Sequence, residues 1–194
     1  MPSRFVPVLL VGLATVACAS EPARPPVRKD VIRRGETPLT LVGRTVEVGQ
    51  AAPDATLRDA KLAPVRLADF RGKTVVLSVV PSIDTRVCEA QTHHVSDAMP
   101  RMPADVVVMT VSRDLPFAQE RFAEEAMTKT LMGSDYRGGD FGRRWGLEVE
   151  ETGLLARSVW IIGPDGKVRY RELVADQTTE PDIEALVAAV NGGG

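Results

Sequence analysis

Pro81, Thr85 and Cys88 stand in the stretch Pro-Ser-Ile-Asp-Thr-Arg-Val-Cys, and their spacing places a thiol at the opening of a helix. The apolar run Val75-Val76-Leu77-Ser78-Val79-Val80 before them reads as a buried strand, because a strand covered on both faces needs no alternation. Pro81 ends it, having no N–H to give to a ladder. Thr85 is then the expected helix N-cap, and Cys88 falls in the first turn, where unpaired N–H groups and the positive end of the helix dipole favour an anion. An ordinary thiol, with a pKa of about 8.5, is ionised to only a few per cent at neutral pH, so such a place turns a cysteine into a nucleophile.

Pro81, Thr85 and Cys88 match the pattern P-x-x-x-T-x-x-C, and the wider wording around them resembles the thiol peroxidase branch of the peroxiredoxin family. Two later stretches resemble the same branch: Asp114-Leu-Pro-Phe-Ala-Gln-Glu-Arg-Phe122, and Leu154-Leu155-Ala156-Arg157 ahead of a strand. The resemblance runs from about Leu39 to the C-terminus. It implies an α/β, thioredoxin-like fold with an amino-terminal β-hairpin, and a thiol-dependent peroxidase acting on hydrogen peroxide or organic hydroperoxides. It also implies a site of Cys88, Thr85, Pro81 and Arg157 that needs no cofactor or metal. In that site Arg157 is the cation that holds the sulfur and a peroxide oxygen together, a task suited to a planar, permanently charged fork of donors. The Thr85 hydroxyl aligns the attacked oxygen, and Pro81 shields the thiolate from water. The family also implies a homodimer.

One departure from the family matters for mechanism. Typical thiol peroxidases carry a second, resolving cysteine after the phenylalanine of the Phe-Ala-Gln-x-Arg-Phe stretch, whereas here Phe122 is followed by Ala123. A sulfenic acid at Cys88 then has to be reduced from outside, by a free thiol or a thioredoxin-like protein.

The front of the chain reads as three parts: an export signal over 1–19, a Pro-rich extended tether over 20–37, and the catalytic domain over 38–194. Arg4 precedes an apolar stretch from Phe5 to Ala17, which is too short for a permanent membrane span. Thr15-Val16-Ala17-Cys18 resembles a lipoprotein box, with Cys18 as the lipid attachment site; the rival reading takes Ala17-Cys18-Ala19 as a cleavage site that discards the cysteine. Either way the expected protein is exported, periplasmic or anchored to a membrane facing the periplasm. The chain has 2 cysteines, so Cys88 is the thiol that remains.

With 24 basic and 26 acidic residues interspersed, the chain has no basic footprint for nucleic acid. The body reads as a strand over 75–80, a helix from Thr85 to about Met99, a parallel strand over 105–111 and a helix over 117–127. A short helix over 140–145, strands over 158–162 and 167–173, and a final helix from Glu180-Pro181 to Val190 complete it. The hairpin is expected over 39–48, turning at Gly43-Arg44. His93-His94 read as solvated rather than as ligands, because adjacent helical residues face different ways. A second class of function stays open at this level: a non-enzymatic thioredoxin-fold lipoprotein, acting as a redox sensor or interaction module. Thr85, Cys88 and Arg157 together argue against it, since a binding module has no need of all three.

Overall fold

The structure, a computed structural model, describes residues 25–192. The expected export signal over 1–19 and Cys18 lie outside the described residues. Strands β1 (Val27–Arg34) and β2 (Thr37–Val42) form the hairpin. The hairpin is therefore one strand earlier than the sequence suggests: residues 27–34, expected within the tether, pair with β2, and residues 45–48 form no strand. Gly35, at φ 59°, takes the first place of the two-residue turn, a place that suits glycine. Little apolar signal marks β1, since Ile32 is the residue of this strand that is buried.

Short strands β3 (Thr56–Arg58) and β4 (Pro64–Arg66) lead through a 3-10 turn at Leu67–Phe70 into β5 (Val75–Val79). Then follow α1 (Arg86–Ala98), β6 (Val107–Ser112), α2 (Pro116–Glu125), β7 (Leu131–Ser134), α3 (Asp140–Arg144) and β8 (Glu148–Val149). Strands β9 (Ser158–Ile162) and β10 (Val168–Leu173) and helix α4 (Ile183–Asn191) close the chain. The main sheet runs β10-β9-β5-β6-β7-β3-β4, with β5, β6 and β7 parallel and β9 antiparallel to β5. This is the thioredoxin-like arrangement expected from the sequence, with β7 added to it. Strand β7 escapes sequence reading because it is four residues long and ends in Gly133-Ser134.

Alternation along β5 shows why its apolar run is continuous. Val75, Leu77 and Val79 enter one core with Trp160, Trp145 and Phe141, beneath the hairpin residues Leu39 and Leu41. Val76 enters the other core, with Val95 of α1 and Leu186 and Val190 of α4. Both faces of the central strand are therefore buried, and α1 is packed against a fixed floor. At the far end of the first core, Asp135 accepts hydrogen bonds from the Phe141 and Gly142 N–H groups at 2.9 and 3.0 Å, which secures the start of α3. Burial pushes the Asp135 carboxyl above its ordinary range, against the pull of those two donors and of Arg113.

Candidate active site

Cys88 lies in the first turn of α1, as the sequence implies, and is fully buried. Thr85 is the N-cap residue by its extended backbone, but its side chain caps nothing. Its hydroxyl lies 2.9 Å from the Cys88 Sγ, to which it donates. From the other side Arg157 Nη2 donates to the same sulfur at 3.2 Å. Two donors and an open helix terminus thus converge on one sulfur atom, the arrangement that stabilises an anion.

The surroundings of Arg157 sharpen this reading. The residue is 2% exposed, and a buried guanidinium needs a compensating charge or a full set of acceptors. Its acceptors other than the sulfur are neutral: the Gln91 Oε1 at 2.7 Å, the Val87 carbonyl at 3.3 Å and the Gln177 carbonyl at 3.3 Å. Among these contacts, the Cys88 sulfur is the one atom able to carry the balancing negative charge.

Arg157 and the turn that carries Thr85 are held by further polar neighbours. Gln91 sits one turn beyond Cys88, on the same side of α1, and donates to the Ser78 hydroxyl of β5 at 2.9 Å while accepting from Arg157. Gln177, in the loop after β10, accepts the Arg157 backbone N–H at 2.5 Å and donates to the Val174 carbonyl at 2.6 Å. Asp114, between β6 and α2, accepts from the Ser82 hydroxyl and the Ile83 N–H, both at 2.8 Å, and so holds the turn that carries Thr85. The spacing from Cys88 could have revealed Gln91. Nothing in the sequence marks Gln177, which lies 20 residues from Arg157 and meets it through tertiary folding.

Pro81 is half-buried at the end of β5 and, with Thr85 and Arg157, lines a pocket of about 190 Å³. Leu39 of β2, Val149 of β8 and Leu155 supply apolar wall, so the amino-terminal hairpin contributes directly to the site. On the opposite side the sulfur packs within an apolar cluster of Val80 and Ile83, against Ala118 and Phe122 of α2. Phe117 is exposed, and His93 and His94 face separate surface carboxylates, Glu89 and Glu180.

Residues 47–187 match the Redoxin family model. The thiol peroxidase of Bacillus subtilis is 43% identical over 153 residues, covering 78% of this chain and 91% of the relative. That of Staphylococcus aureus is 44% identical over 154 residues, covering 78% and 92%. The chain belongs to the thiol peroxidase family of peroxiredoxins. Among solved structures, a peroxiredoxin-like protein from Aquifex aeolicus superposes with a TM-score of 0.79 at 35% identity, over 84% of this chain and 96% of that one. The thiol peroxidase of Chromobacterium violaceum shares the fold, with a TM-score of 0.71 at 20% identity over 84% and 95%. Within this thiol peroxidase, Ala123 lies on α2, a helix that packs over Cys88 through Ala118 and Phe122. Cys88 is free, with no disulfide partner among the described residues.

Proposed function

We propose that this chain is a thiol-dependent peroxidase of the one-cysteine kind, with Cys88 as nucleophile and an external thiol as reductant. The observation that carries the reading is the buried Arg157 guanidinium 3.2 Å from the sulfur, with its other acceptors neutral.

The thiolate attacks the terminal oxygen of a hydroperoxide entering beside Pro81. An S–O bond forms as the O–O bond breaks, and the alkoxide or hydroxide leaves and takes up a proton. Cys88 becomes a sulfenic acid. Arg157 and the Thr85 hydroxyl orient the peroxide and meet the charge that develops on its oxygens, an effect that operates best in a water-poor site. Pro81 limits the access of water to the sulfur. An external thiol then condenses with the sulfenic acid, releasing water and leaving a mixed disulfide. A second thiol, free or on a thioredoxin-like protein, restores Cys88 and departs as a disulfide. An interaction module gains nothing from a sulfur held by two donors beside a pocket.

Replacing Cys88 by serine is expected to abolish peroxide consumption while the circular dichroism and melting behaviour stay near those of the parent. A C88S protein with normal turnover would place the chemistry elsewhere.

The Cys18 motif supports an exported enzyme tethered by lipid, tested by whether labelled fatty acid enters the protein in its bacterial host and is lost in Cys18→Ala. The exposed apolar residues Leu115 and Phe117, 54% and 56% accessible at the start of α2, support a homodimer formed through that face.

A further inference from the structure

The pocket beside Cys88 has an asymmetric charge. Arg34 at the end of β1, Arg86 in the first turn of α1 and the buried Arg157 all line it, and no aspartate or glutamate does. Neither the Arg34 nor the Arg86 side chain forms an ion pair among the described residues, and both residues are exposed. Asp84 and Glu89 lie near Arg86 but line a second pocket rather than this one, and two carboxylates near Arg34 and the pocket rim are turned to other partners. Glu151 accepts from the Thr40 N–H at 2.9 Å. Asp176 accepts from the Thr178 hydroxyl at 2.7 Å and the Gly35 N–H at 3.2 Å, and pairs with Arg33 at 2.9 Å. The same pocket is lined by the apolar Leu39, Val87, Val149, Leu154 and Leu155, beside polar groups that include Thr152 and Thr178. The volume of about 190 Å³ equals that of roughly six water molecules, more room than hydrogen peroxide fills.

We infer that this pocket selects organic hydroperoxides that carry a carboxylate, with the alkyl part against the Leu39–Leu155 wall and the carboxylate at Arg34 and Arg86. The inference rests on the peroxidase reading and adds to it a substrate class and two specificity residues. Arg157 is occupied by the sulfur and the peroxide, so the carboxylate falls to the two arginines that have no ion-pair partner among the described residues. A guanidinium is the fitting group, since its fork donates two parallel hydrogen bonds to a carboxylate. Arg34 comes from β1, which gives the added hairpin a direct part in substrate choice.

The test is single-turnover oxidation of the reduced full-length protein, followed by mass spectrometry of trapped Cys88 sulfenic acid. It compares 6-hydroperoxyhexanoate with its methyl ester. The expected result is faster oxidation by the acid than by the ester, with the acid-to-ester rate ratio falling roughly threefold to tenfold in the Arg34→Gln, Arg86→Gln double variant. The parent ratio should also shrink as salt is raised, because exposed charges are screened. Because acid and ester are compared within each protein, a general loss of rate in the variant cancels. A parent protein oxidised equally by acid and ester overturns the inference and leaves the peroxidase reading standing. A preference that survives the double substitution overturns the assignment to Arg34 and Arg86. A protein oxidised by neither probe nor hydrogen peroxide overturns both readings.

Discussion

Cys88 shares its sulfur between a threonine hydroxyl and a buried arginine, and the two are not interchangeable in what they offer. The hydroxyl at 2.9 Å can donate or accept and so adjusts as the peroxide arrives, whereas Arg157 only donates and stays charged throughout. Arg157→Lys keeps a positive charge but cannot span the sulfur, the Gln91 oxygen and the Val87 carbonyl from one plane. Losing one charge-assisted hydrogen bond in the transition state corresponds to about 1.5–3 kcal/mol, so stopped-flow oxidation of the lysine variant should be about 10- to 100-fold slower. An unchanged rate would show that charge alone suffices. At this scale the sequence was readable for Pro81, Thr85, Cys88 and Arg157, since the first three share one short motif and Arg157 ends another. Gln91 and Gln177 were not, and Asp114 opens a family-like stretch without showing its role, because their work is to bond to other site residues rather than to substrate. A glutamine or aspartate whose partners come together only in the fold looks in sequence like any polar residue.

Helix α2 bears on how a sulfenic acid at Cys88 would be resolved. It packs Ala118 and Phe122 over Cys88, and Ala123 sits next along the helix at the position where typical family members have a second thiol. Ala123→Cys is expected to form a disulfide with Cys88 after oxidation if the helix opens locally, visible as a loss of two mass units and of both the Cys88 thiol and the introduced one. That variant should also withstand excess peroxide that drives the parent to sulfinic acid. Persistence of both thiols after one equivalent of peroxide would mean that α2 stays closed in this protein. Elements that bury two faces or carry regular amphipathic spacing, such as β5, β9, α1 and α4, were legible from their apolar patterns. Strands β1 and β7 were not, for opposite reasons. Strand β1 is mostly exposed, and its position is secured by backbone hydrogen bonds linking Arg33 to Ala175 and Gln177 rather than by an apolar stripe. Strand β7 is too short to show a period, and its neighbours β6 and β3 specify it.

At the scale of the molecule, the hairpin, the central sheet and the loop after β10 meet at one pocket, so an addition to the thioredoxin-like fold becomes part of its site. Such a meeting of distant segments is a property of topology, which no local window of sequence carries. The exposed Phe117 belongs to the same scale. Phe117→Arg is expected to shift the protein from dimer to monomer in light scattering, and a parent that is already monomeric would remove the interface from the account. The central claim, a one-cysteine peroxidase, is tested most directly by adding one equivalent of peroxide to the reduced protein without reductant and mapping Cys88 by mass spectrometry. The predicted result is a sulfenic acid trapped at Cys88 by a dimedone-type reagent, with no internal disulfide. An internal disulfide, or a Cys88 that does not react with peroxide, would contradict it.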